Sequence, residues 1–230
     1  MPLARHYFEM PAPGLGHGGY LAEVIDLDDP QRLARVKVRV LNFDGVESHD
    51  APVWARVASA FAGNDRGAFL IPDVGDEVLV IFINGDSRYP VVVGGLWNGS
   101  ATAPEQISGG RNVRKVIRSK NGVKLTLEDQ DGQERFIVET PGAQRVTLKD
   151  GPGQITIEDS NGNSIALESS GITITAAAKV TVNAPQVAVS AGMVQVDAAM
   201  SKFSGVVQCD TLIATTVVAT TYTPGAGNIW

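Results

Sequence analysis

Cysteine is almost absent: Cys209 is the single example among 230 residues. One thiol excludes an intrachain disulfide framework and a cysteine-rich metal site. Charge is scarce as well, at 19% of residues with a net charge of −6. The first 111 residues hold 9 Lys+Arg against 14 Asp+Glu. Without a basic surface to neutralise phosphates, nucleic acid is excluded as a main partner. No apolar run reaches about 18 residues, so no transmembrane helix is indicated. The N-terminus, MPLARHYFEMPAPG, has no apolar core, so no secretory signal peptide is expected and the chain reads as made in the cytoplasm. Residues 171–230 carry only Lys179, Asp197, Lys202 and Asp210, and the last twenty carry no charged side chain. A soluble monomer rarely leaves such a surface to water, so this half is expected to bury itself against copies of itself or to aggregate.

What is present is strand and turn chemistry. Residues 1–19 hold Pro11, Pro13, Gly14, Gly16, Gly18 and Gly19 and read as an extended arm. Five strands follow, at Tyr20–Leu27, Leu33–Phe43, Val53–Ala60, Asp76–Asn84 and Pro90–Leu96. In the second, Val36, Val38 and Val40 alternate with Arg35, Lys37 and Arg39, which gives one buried and one solvated face. Asn84, Gly85 and Asp86 read as a hairpin-type turn, and Gly94 with Gly95 as a bend or a close backbone approach. Residues 61–74 read as a loop. Five strands in a short span without helical periodicity predict a small oligonucleotide/oligosaccharide-binding (OB) barrel over 20–97. Residues 98–112 read as a linker rich in Gly, Ser, Ala and Pro.

Beyond Asn121 the pattern changes to short i, i+2 apolar pairs separated by turn residues. Pairs starting at 165, 172, 180, 187 and 194 are 7, 8, 7 and 7 residues apart, too short for a complete solenoid coil. Each repeat has a small apolar face and two open edges, an aggregation hazard for a lone chain. Three chains wound about one axis answer both problems, with a monomeric solenoid as the competing structure. The predicted trimer core comprises Ile155, Ile157, Ile165, Leu167, Ile172, Ile174, Val180, Val182, Val187, Val189, Val194 and Val196. The other two chains would fill the gaps between one chain's successive strands. The winding is expected over 113–207, with an apex at 208–230.

Groups with chemical potential have plainer readings beside the functional ones. Glu128 with Asp129, and Glu158 with Asp159, are carboxylate pairs of the kind glycoside cleavage uses, but each precedes a turn, where acidic residues are common. Gly14–Gly19 is glycine-rich without a preceding strand or following helix, so it reads as arm rather than phosphate cradle. Arg114, Lys115, Arg118 and Lys120, opposed by Glu128, Asp129, Asp131 and Glu134, read as a solvated collar with cross-chain ion pairs. Trp54 and Trp97 read as barrel core or interface, and Cys209 as a buried small residue. No HExxH, GxSxG or P-loop sequence occurs. No catalytic residue, metal site or cofactor is expected.

Val91–Gly99 (VVVGGLWNG), preceded by Gly85-Asp86-Ser87-Arg88-Tyr89-Pro90, and the upstream Ile71–Val80 segment resemble the baseplate assembly protein V family of contractile phage tails and the valine–glycine repeat spikes of type VI secretion. The resemblance implies an all-β homotrimer: an OB-fold collar followed by an intertwined triple-stranded β-helix needle, or β-prism. It implies a non-enzymatic membrane-puncturing spike at the centre of a baseplate, in a virion or a cytoplasmically assembled injection particle. The 19 residues before the barrel leave no room for a hub domain, so a separate hub protein is expected at the barrel end. The linker is too short for the lysozyme domain of some phage spikes. His6, His17 and His49 all precede the needle, so the His-x-His iron tip of other spikes is not expected. The ending Tyr222–Trp230 resembles those of phage-type spikes, and Tyr222, Pro224, Gly225, Asn228, Ile229 and Trp230 are candidates for an apex cluster or for docking a PAAR-like or other small tip protein, with simple end-packing as the plainer alternative. The needle would touch the target cell envelope transiently. The competing functions are a tailspike enzyme that degrades polysaccharide and a surface adhesion needle.

Overall fold

The computed structural model describes residues 18–41 and 52–221. The expected arm and the apex candidates Tyr222, Pro224, Gly225, Asn228, Ile229 and Trp230 lie outside the described residues, apart from Gly18 and Gly19. Residues 18–179 and 180–221 fall into two separate units.

The first unit opens with a closed barrel. Its strands are β1 (Tyr20–Asp26), β2 (Val36–Val40), β3 (Val53–Val57), β6 (Glu77–Phe82) and β7 (Pro90–Gly95). They close in the order β1-β2-β3-β7-β6, with β6 pairing back onto β1. The β3–β7 pair is parallel and the others are antiparallel. Alternation puts every second side chain inside. Ala22, Val24, Val36, Val38, Ala55, Val78, Val80 and Val92 form a fully buried core. All are small, as the narrow interior of a five-stranded barrel requires.

Several local expectations change. Strand β2 starts at Val36 rather than Leu33, because the Asp29 carboxylate accepts N–H bonds from Gln31, Leu33 and Arg35. Arg32 and Ala34 take positive φ, 55° each, in the same turn. Gly94 has open space where a Cβ would go, so close backbone approach is not its role. The β6–β7 ladder instead slips beside it, from Leu79 opposite Gly94 to Val80 opposite Val92, a bulge. Asn84 and Gly85 take positive φ of 53° and 73°, and Asp86 N donates to Ile83 O at 3.0 Å, closing a tight turn within the longer β6–β7 connection. Residues 61–74 include a small hairpin of β4 (Ala62–Gly63) and β5 (Arg66–Gly67). Trp54 is outside the core, because Ala55 takes the inward position on β3. The indole lies under the Arg35 guanidinium at 5.8 Å and the Lys37 ammonium at 5.9 Å. Trp97 is 70% exposed.

Beyond the linker, seven strands form one antiparallel meander: β8 (Arg114–Arg118), β9 (Lys124–Glu128), β10 (Arg135–Glu139), β11 (Arg145–Lys149), β12 (Gln154–Glu158), β13 (Ser164–Glu168) and β14 (Gly171–Thr175). In this stretch the gaps between successive strands are filled by the chain's own hairpins rather than by other chains. The reversals are made possible by positive φ at Gly122, Gly132, Ala143, Gly151, Gly162 and Gly171. Only the outer edges of β8 and β14 are left open. From 176 to 221 the described chain contains no strand at all.

Candidate functional site

The meander sorts its side chains by chemistry. Its register aligns Ile117, Leu125, Val138, Val146, Ile157, Ile165 and Ile174 in one row across all seven strands. A second row on the same face runs from Lys115 through Leu127, Phe136, Leu148, Ile155 and Leu167 to Ile172. Six strand spacings of about 4.8 Å make each row roughly 29 Å long. The second row lines an open groove of about 670 Å³. Six of the predicted core residues, Ile155, Ile157, Ile165, Leu167, Ile172 and Ile174, therefore stand together on one face, and all six are exposed in the single chain. Of the earlier members of the rows, Leu125, Leu127, Val146 and Leu148 are read from the sequence as alternating apolar pairs, whereas Ile117, Phe136 and Val138 are not. The signal of Phe136 and Val138 was present as one more i, i+2 apolar pair.

The opposite face is more polar, and it is not fully satisfied: the buried Nε atoms of Arg135 and Arg145 have no hydrogen-bond partner among the described residues. Its middle row is Val116, Thr126, Ile137, Thr147, Thr156, Ala166 and Thr173, with Thr126 and Ile137 buried. Charges flank it: Arg114 faces Glu128, which faces Arg135, but Arg135 in turn faces Lys149, and on the other flank Arg118 faces Lys124. Arg114 Nη2 donates to Glu128 Oε1 at 3.1 Å, and Lys115 pairs with Asp129. Lys120 reaches the barrel residue Asp73 at 3.6 Å, and Glu105 of the linker stands 3.7 Å from Arg114 and 3.9 Å from Lys124. The ion pairs expected across chains at Arg114, Lys115 and Lys120 thus form within one chain. The opposite charges of Arg114, Glu128 and Arg135 reinforce this pairing register, and the like-charge pairs Arg118/Lys124 and Arg135/Lys149 act against it.

Three of the four acidic residues of the two pairs, Glu128, Asp129 and Asp159, have structural partners. Glu128 is held by Arg114 and stands 3.9 Å from Arg135. Asp159 closes the β12–β13 turn by accepting hydrogen bonds from the side-chain amides and backbone N–H groups of Asn163 and Asn161. Those bonds, the Asn163 side-chain amide foremost, lower its pKa to about 2 against the pull of burial. A glycosidase acid needs the reverse, a carboxyl held protonated near neutrality. Among the described residues, no group of three or more His, Cys, Asp or Glu could hold a metal ion.

In the second unit, Val180, Val182, Val187, Val189, Val194 and Val196 lie in chain without strand pairing and are all exposed. These expected strands have no in-chain neighbour, so their backbone donors and acceptors are left for water or for another chain. Cys209 is a free, exposed thiol rather than a buried one.

The chain thus carries a closed five-stranded barrel followed by an antiparallel sheet whose apolar face is exposed. The barrel matches the type VI secretion system/phage-baseplate injector OB domain over residues 20–97. Residues 135–195 match the phage baseplate V C-terminal trimerisation domain. The chain therefore carries both domains of this phage baseplate V and type VI spike family. It is 36% identical over 113 residues to the type VI secretion system spike protein VgrG4b of Pseudomonas aeruginosa, covering 46% of this chain and 14% of that protein. It is 34% identical over 90 residues to the spike protein VgrG3 of Vibrio cholerae, covering 37% and 9%. The actin cross-linking toxin VgrG1 of Vibrio cholerae matches at 32% over 88 residues, covering 36% and 8%. The chain thus spans a small fraction of the length of these relatives.

Proposed function

We propose that this chain is the non-enzymatic central spike of a contractile injection apparatus, assembled as a homotrimer. The observation that carries this reading is the order of parts. A self-sufficient barrel is followed by a sheet with one bare apolar face, and then by a nearly uncharged segment with no strand pairing of its own. The matched trimerisation domain spans β10 to β14 of the sheet and the start of that segment. Three copies would turn their apolar rows toward a common axis and bury them, which removes apolar surface from water. The barrel would seat the trimer on a separate hub protein, and the far end would meet the target envelope, bare or through a small tip protein. Force from contraction would pass along the axis, where many ladder hydrogen bonds share the load.

The test is complementation of an injection particle that lacks this chain. Restored delivery of a reporter into target cells is the expected result, with surface polysaccharide left at full length by the purified chain. Polysaccharide shortened by the purified chain would establish the tailspike reading instead. Delivery that proceeds equally without the chain would remove it from the puncturing role.

A further inference from the structure

The trimerisation match ends at residue 195, in the middle of a sequence repeat. Val194-Gln195-Val196-Asp197 recurs as Val207-Gln208-Cys209-Asp210, with Cys209 in the place of Val196. After Thr211 come two five-residue repeats, Leu212–Thr216 (LIATT) and Val217–Thr221 (VVATT). In the first copy, Gln195 Nε2 donates to Asp197 Oδ2 at 2.8 Å, so these two polar side chains share a side. Were this stretch to pair as a strand, alternation would send Val194 and Val196 to the other side. Exposure separates the later apolar residues into two classes. Val207, Leu212 and Val217 lie between 60% and 71%, the range of Val194 and Val196. Val206, Ile213 and Val218 lie at 94–97%.

We propose that the three-chain interface continues past the matched domain to Val217, with Cys209 turned to the common axis beside Val207, Leu212 and Val217. The occupant of this face is the other two copies of the chain, because the face is continuous with the trimerisation domain and repeats its pattern. This rests on the trimer reading above. An unoxidised cysteine behaves as a small apolar residue, so it fills a valine position at little cost. Gln208 and Asp210 occupy the positions of Gln195 and Asp197 and face outward. Val206, Ile213 and Val218 also face outward.

The full chain is first weighed by native mass spectrometry and then oxidised with copper–phenanthroline. Two axial thiols form one disulfide, giving up two protons and two electrons to the oxidant, and the third thiol has no partner. The expected result is disulfide-linked dimers on a non-reducing gel, with one thiol in three left for a thiol reagent. The C209S/Q208C double variant, whose thiols point away from one another, is expected to stay uncrosslinked. A native trimer whose Cys209 does not crosslink would overturn the proposal, as would equal crosslinking through position 208. A monomeric mass would overturn the trimer reading itself and the proposal with it.

Discussion

Ile165 on β13 stands directly opposite Ile174 on β14, and both remain exposed, at 37% and 61%. A cross-strand apolar pair normally contributes by packing against something above it, and in one chain nothing covers this one. Ile174→Lys is expected to shift the assembly from trimer to monomer, because it would bring three unpaired ammonium groups into the shared interior. Thr173→Lys, one residue away on the opposite face, should leave the trimer intact. Native mass or light scattering separates the two, and a stable I174K trimer would sink the proposed role of this face.

The barrel core makes a different prediction, independent of assembly. Val38 is fully buried, whereas Leu33 is exposed in the preceding turn. Val38→Ala removes two methyl groups from a narrow interior and should cost about 2–3 kcal/mol. Leu33→Ala should stay within about 0.5 kcal/mol. Denaturant unfolding of the full chain measures both, and comparable losses would contradict the assigned inward register of β2.

Asp159 gives a titration test. Its folded pKa is lowered to about 2 from an ordinary 3.8. A depressed carboxyl pKa stabilises the fold above about pH 3.8, and that stabilisation is lost as pH falls toward 2. Carboxyl-carbon NMR should show a midpoint near pH 2. Asn163→Ala should move it upward more than Asn161→Ala does. A midpoint at the ordinary value in the unmodified chain would mean the turn is not closed by this carboxylate.

The proposed puncturing role gives the uncharged end a test. Thr216 and Thr220 lie in the segment after Thr211, where no described residue is charged. Charged groups are the costly ones to move through lipid. Thr216→Lys and Thr220→Lys should weaken reporter delivery to target cells or liposomes. Normal delivery by a normally assembled trimer would show that the absence of charge serves something else.

The barrel was legible because its strands obey a period of two and its inward positions are small and aliphatic. Legibility failed where side chains take over backbone duties. Leu33 has the composition of a strand residue, but the bidentate pair of Asp29 with Arg35, at 2.6 and 3.1 Å, fixes a turn there. That guanidinium holds the Asp29 carboxyl well below the usual range, and burial acts in the opposite direction. For Trp54 the core alternative fails because alternation assigns that place to Ala55, which leaves the interface alternative. In the meander, the apolar positions were readable but not which chain supplies the neighbouring strand. Periodicity reports the side a residue faces and is silent on its partner. The turn glycines carried the missing information, since a reversal after five residues returns the chain to its own edge.

The contrast between the hairpins and the chain after Thr175 has a kinetic side. Each hairpin joins residues close in sequence, so its formation is unimolecular and fast at any concentration. The valine repeats beyond them have no such route, and their ordering depends on how often chains meet. Dilution should therefore leave the barrel and meander formed while the final stretch waits. Synthesis of many copies in one place would then set the pace at which finished particles accumulate.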